Sequence, residues 1–141
     1  MVTSTDYDKY LAAKAAALIR ENFSDRGVIN LLVVRWGKTK SKRVLGHIKP
    51  MENVEYGSII EINPMLKSLN VPEYVLEYVL MHELTHYFQG FGSNHQRKHK
   101  HPHKGHIVEK EMARHGWDEI TIKSEKWIKE NWKNIVMMEK N

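Results

Sequence analysis

The sequence predicts an α+β fold: a small, mostly antiparallel sheet packed on helices, with one largely apolar helix at its centre. Three observations predict it. A helical pattern opens the chain, β-branched and apolar runs occupy residues 28–63, and helical patterns resume at Pro72 and dominate the rest. At 141 residues the chain is expected to form one domain, 1–141.

Each element has a local cause. Residues 6–22 form the first predicted helix. Thr5 or Asp6 can cap it, Ala12–Ala17 is strongly helix-forming, and Tyr7, Leu11, Leu18 and Asn22 track one side. Residues 28–36 are short and rich in Val, Ile and Leu, a buried strand by composition. Residues 43–48 return as a second strand after the basic turn 37–42, and the short connection predicts a hairpin. Residues 58–63 make a third strand, stopped by Pro64. From Pro72 to about Gln89 the chain reads as a helix, with Pro72 suited to its first turn and Gly90 and Gly92 to its exit. Val75, Leu76, Val79, Leu80, Met81 and Leu84 make it apolar on most sides, so it belongs in the middle of the domain. A helix over 104–115 and a C-terminal packing helix over 121–139 complete the order; Trp127, Ile128, Trp132, Ile135 and Val136 give the last its buried face.

Composition narrows the chemistry. Cysteine is absent, which excludes disulfides, thiol nucleophiles and every cysteine-bearing metal site. No apolar run approaches the roughly 18 residues of a membrane span, and the N-terminus lacks the charged-then-apolar order of a signal peptide. A cytoplasmic monomer with no membrane partner is the expectation. Twenty-two Lys and Arg against 17 Asp and Glu give a net charge of +5, a lean toward anionic partners. Seven of the nine histidines fall between positions 82 and 106.

His82-Glu83-Leu84-Thr85-His86 carries the chemistry. Positions four apart stack on one helix face, so His82 and His86 can offer two imidazole nitrogens to one cation. Glu83 is rotated off that line and can reach a water beside the metal instead. Zinc lowers the pKa of such a water to about 7, and a carboxylate can take its proton and deliver it to a leaving amine. The setting strengthens the motif: a predicted helix, apolar flanks and a glycine exit. The line Val75–Val79–His82–His86 sets two polar rings in register with buried aliphatics. A catalytic zinc needs a third protein ligand and an open position. His95, His99, His101, His103, His106, Glu109 and Glu111 are the candidates; His103, Ile107 and Glu111 share a face at spacing four, and Glu111 sits among apolar neighbours. For oxyanion stabilisation the candidates are His47, His115 and Tyr87.

These pieces resemble the SprT-like/YgjP-like group of small zinc metallopeptidases within the zincin clan. The resemblance spans roughly residues 28 to 117. It rests on Val34-Arg35-Trp36-Gly37, on Ile60-Glu61-Ile62-Asn63-Pro64 with Leu66, and on Val79-Leu80-Met81 leading into the His82–His86 motif. His103 stands where the family has its third ligand, although Ile107 replaces the usual aromatic residue four later. The resemblance implies one catalytic Zn2+ held by His82, His86 and His103, Glu83 as general base, and hydrolysis of peptide bonds in a peptide or protein substrate. In one branch it implies DNA-guided proteolysis. A minimal gluzincin variant would use Glu111, or less well Glu109, as third ligand.

The stretch between Glu83 and Glu109 has no acid and carries Arg97, Lys98, Lys100 and Lys104, a patch that could hold DNA phosphates or remain a solvated loop. Residues Arg35, Lys38, Lys40, Lys42 and Arg43 form a second basic cluster. The competing reading from another class is a non-catalytic, His-rich metal- or nucleic-acid-binding module.

Overall fold

The computed structural model describes residues 4–28, 30–52, 57–90 and 106–140. They form an α+β arrangement of four α-helices and a three-stranded mixed sheet. In chain order these are α1 (Ser4–Asn22), β1 (Leu31–Trp36), β2 (Gly46–Pro50), β3 (Gly57–Ile62), a 3-10 turn (Pro64–Lys67), α2 (Glu73–Phe88), α3 (Ile107–Arg114) and α4 (Asp118–Lys140). No helix among the described residues is long and apolar enough to cross a membrane.

The sheet corrects the sequence reading. Its order is β1-β3-β2, so β1 and β2 do not form the expected hairpin. β3 lies parallel to β1, with Val34 opposite Ile60, and antiparallel to β2, with Ile48 opposite Ile60. The sheet is therefore mixed rather than mostly antiparallel. The cause is the difference in strand chemistry. β3 carries Ile59, Ile60 and Ile62 and is buried along most of its length, which suits a central strand. β2 carries Gly46, His47, Lys49 and Pro50, and a strand with exposed charges and a proline belongs at an edge.

The nine-residue link 37–45 is not a free turn. Asn63, buried just after β3, donates from Nδ2 to the carbonyls of Ser41 (2.8 Å) and Val44 (2.9 Å), while its Oδ1 accepts from Met65 N (2.9 Å). Ser41 Oγ accepts from the backbone N–H of Arg43 and Val44. The Trp132 indole of α4 donates to Lys42 O at 2.9 Å, and Lys40 Nζ donates to Glu139 O at 2.9 Å. The buried Asn63 side chain and the Trp132 indole thus find partners, as burial requires.

α1 lays Leu11, Ala15 and Leu18 into the core, with Phe23 following, stacked on Phe88 at 4.2 Å between ring centroids. Asn22 ties its end to the Trp117 indole at 2.9 Å. The Tyr7 side chain lies outside the described residues. α2 is buried on most sides, as its composition predicts, and contacts the sheet and the other three helices. α4 begins three residues earlier than the sequence pattern suggests, at Asp118, and buries Trp132, Ile135 and Val136; Trp127 and Ile128 are half-buried. α3 starts at Ile107 rather than 104, because His106 adopts a left-handed conformation (φ 54°) that a helix interior excludes.

Candidate metal centre

α2 sets the site. His82 and His86 fall on successive turns, their ring centroids 4.9 Å apart and their planes at 74°. Nδ1 of each ring is buried. Thr85, between them in sequence, turns inward and donates from Oγ1 to Met81 O at 2.7 Å, so its hydroxyl is satisfied within the helix. Leu80, Met81 and Leu84 fill the core side of the same turns and fix the rotation of the helix. Tyr87, fully buried, donates its hydroxyl to Asn30 Oδ1, and Asn30 in turn donates to Ser58 Oγ at 2.8 Å, which fastens the end of α2 to the sheet.

Glu83 lines, together with His82, a cleft of about 350 Å³ between α2 and the segment leading into β2. Arg43, Val44, Leu45 and Gly46 form one wall, and Tyr78, Val79, His82 and Glu83 the other. Glu83 is only 5% exposed, and burial pushes its carboxyl up to about 8, since a charge in a dry site is disfavoured. The Tyr78 ring lies 6.2 Å from that of His82, and its hydroxyl donates to Glu125 Oε1 at 3.2 Å. Burial first, then the Glu125 carboxylate, keep that phenol protonated well above its usual range.

Gly46 is where β2 comes closest to α2. A Cβ there would meet Val79 Cγ1 at 3.0 Å, Ile62 Cδ1 at 3.2 Å and Glu83 Cγ at 3.3 Å. The lone glycine inside a strand pattern is the sequence signal for such an approach. Gly46→Val is expected to push the strand off the helix and disturb Glu83, costing about 1–3 kcal/mol of stability. Thermal melting checks this; a variant as stable as wild type would mean that this contact is slack.

The remaining candidates are dispersed. Glu111 is buried but engaged: Arg114 Nη2 lies at 2.6 Å, Arg26 Nη2 at 3.9 Å and His115 Nε2 at 4.0 Å. It joins α3 to the turn after α1, where Arg26 also donates to Phe88 O at 3.2 Å. Glu109 is half-buried and His106 is exposed at the start of α3. No three His, Asp or Glu side chains among the described residues converge as a ligand set, so Glu109, Glu111 and His106 do not complete one with His82 and His86. His103 lies outside the described residues, as do His95, His99, His101 and the basic residues Arg97, Lys98, Lys100 and Lys104.

The three oxyanion candidates are not in the cleft. Tyr87 is committed to Asn30, His115 packs against Phe23 at 4.8 Å, and His47 lies beside Glu61 on the sheet. The cleft residues that sequence reasoning missed are Tyr78 and the Arg43–Gly46 wall. Compared with protein-family models, curated proteins and solved structures, the chain matches none.

Proposed function

We propose that this chain is a zinc-dependent peptidase of the zincin type, similar in its motif to the SprT-like/YgjP-like group. The observation that carries the reading is the pairing of two imidazoles on one face of a buried helix with a buried carboxylate opening into the adjacent cleft. The donor set suits zinc: two imidazole nitrogen ligands four residues apart, no cysteine in the sequence, and no carboxylate cage among the described residues that would favour another metal. His82 and His86 would hold the ion, and we assign the third position to His103.

Zinc held there supplies Lewis acidity to water and to a peptide carbonyl. The chain supplies the rest. Glu83 takes the proton from the attacking water and returns it to the leaving amine. Its place close against Gly46 spares it a search for the reactive geometry. The Val44–Gly46 wall and Tyr78 border the space where the substrate backbone would lie.

Zinc per chain tests the assignment. Elemental analysis of dialysed protein is expected to give one tightly held zinc in the wild type, none in His82→Ala or His103→Ala, and one in Glu111→Ala, with circular dichroism confirming that each variant is folded. A folded wild type that refuses zinc would end the reading. Several weakly held ions would replace it with the non-catalytic, His-rich binding module.

A further inference from the structure

A second cavity, of about 290 Å³, lies beside the cleft, and Val44 and Gly46 line both. Lys38, Thr39, Ser41, His47, Glu61 and Asn63 are among its walls. Glu61 is its acid, and that acid is saturated. Arg35 Nε lies at 3.0 Å, His47 Nε2 at 3.0 Å and Lys49 Nζ at 3.3 Å from its oxygens. Although burial opposes the charge, hydrogen bonds from Arg35 and Lys49 hold the carboxyl below its ordinary range.

The surrounding sequence has no Asp or Glu between Asp25 and Glu52, yet it carries Arg26, Arg35, Lys38, Lys40, Lys42, Arg43 and Lys49. The structure divides these cations into two groups. Arg26 serves Glu111, Arg35 and Lys49 serve Glu61, and Lys40 binds the Glu139 carbonyl. Lys38, Lys42 and Arg43 have no acidic partner among the described residues; Lys38 lines the second cavity and Arg43 the cleft. The link that carries them is pinned through Asn63, Ser41 and Trp132. A charged turn needs no such anchoring to stay solvated. The anchoring holds Arg43 in the wall of the cleft that Glu83 lines, with Lys38 in the adjoining cavity.

We propose that this link selects acidic polypeptide substrates, seating an acidic side chain near the bond to be cut in the second cavity, against Lys38. The proposal rests on the peptidase reading and names its substrate class. Two exposed charge contacts together amount to roughly a tenfold preference at low ionic strength, and less as salt rises.

The test uses three peptides that differ only in carrying Glu, Ala or Lys on either side of the cleaved bond, with kcat/KM measured at low and high salt. Wild type is expected to prefer the Glu peptide over the Lys peptide by at least about tenfold, with the preference shrinking in salt. In Lys38→Glu/Arg43→Glu the order should invert, and in Lys38→Gln/Arg43→Gln the preference should nearly vanish. Equal cleavage of all three by wild type, abolished by Glu83→Gln, would overturn the proposal and leave the peptidase standing. If wild type cut none and instead held a fluorescent oligonucleotide through Lys38 and Arg43, both readings would fall and the wall would be a phosphate site.

Discussion

Glu83→Gln is expected to lower the rate of peptide hydrolysis by about 10³-fold, within the range that general-base side chains contribute. The amide has nearly the same shape, and the side chain it replaces is buried with its Cγ close to Gly46, so packing is preserved. What the amide cannot do is take a proton. In the zinc-loaded protein, zinc content should hold and the melting temperature should not fall while kcat collapses, a combination that separates loss of the base from loss of the metal or the fold. Retention of the wild-type rate on an unfolded protein substrate would sink the mechanism. His86→Ala would lose activity too, but by releasing the metal, and elemental analysis tells the two apart.

The same residue governs the second large effect, on stability rather than rate. In the unfolded chain a glutamate titrates near 4.5, whereas burial places Glu83 near 8 in the folded protein. Between those values the folded state holds a proton that the unfolded state has released. Stability of the metal-free protein should therefore fall as pH rises from about 5 to 8, at a slope approaching 1.4 kcal/mol per pH unit. Below the unfolded value the group contributes no slope. Urea unfolding of the chelated protein at successive pH values measures this, and Glu83→Gln should flatten the curve and be the more stable protein at pH 8. Parallel curves for the two proteins would show that the carboxylate is not desolvated. Glu61 works in the opposite sense: its lowered value gives stability that is present above the unfolded value and lost as pH falls through the folded one.

The parts legible in the sequence are those written locally. α2 could be read to within a residue at each end, because its apolar positions, its flanking proline and Gly90 all lie within or beside it. The His82–His86 pairing needs only helical periodicity. The sheet order was not legible, because it depends on a comparison between strands. Only when β2 and β3 compete for the central position do Lys49 and Pro50 matter. Glu111 illustrates the same limit. Among apolar neighbours it reads equally as a ligand, a partner to a zinc histidine or a helix-border residue, and its carboxylate is taken by Arg114 beside it and by Arg26 from the far side of the chain. The cleft wall escaped for this reason also. Nothing near Arg43–Gly46 announces that it faces Tyr78 and Glu83, apart from the glycine that lets it come so close.

The strand order also bears on how the chain reaches this structure. β2 and β3 are neighbours in sequence and antiparallel, so their pairing closes a short loop at small entropic cost. β1 can join only on the far edge of β3, in parallel, by closing a loop that contains all of β2. Long-range parallel pairing of this kind is slow. The β2–β3 hairpin should therefore form early and β1 dock late, together with α1, which packs on it. Mutations in β1 would then mainly speed unfolding, whereas those in β2 would slow folding. Gly46, where the wall of the cleft meets β2, should therefore find its place on β3 before the far edge of the sheet is complete.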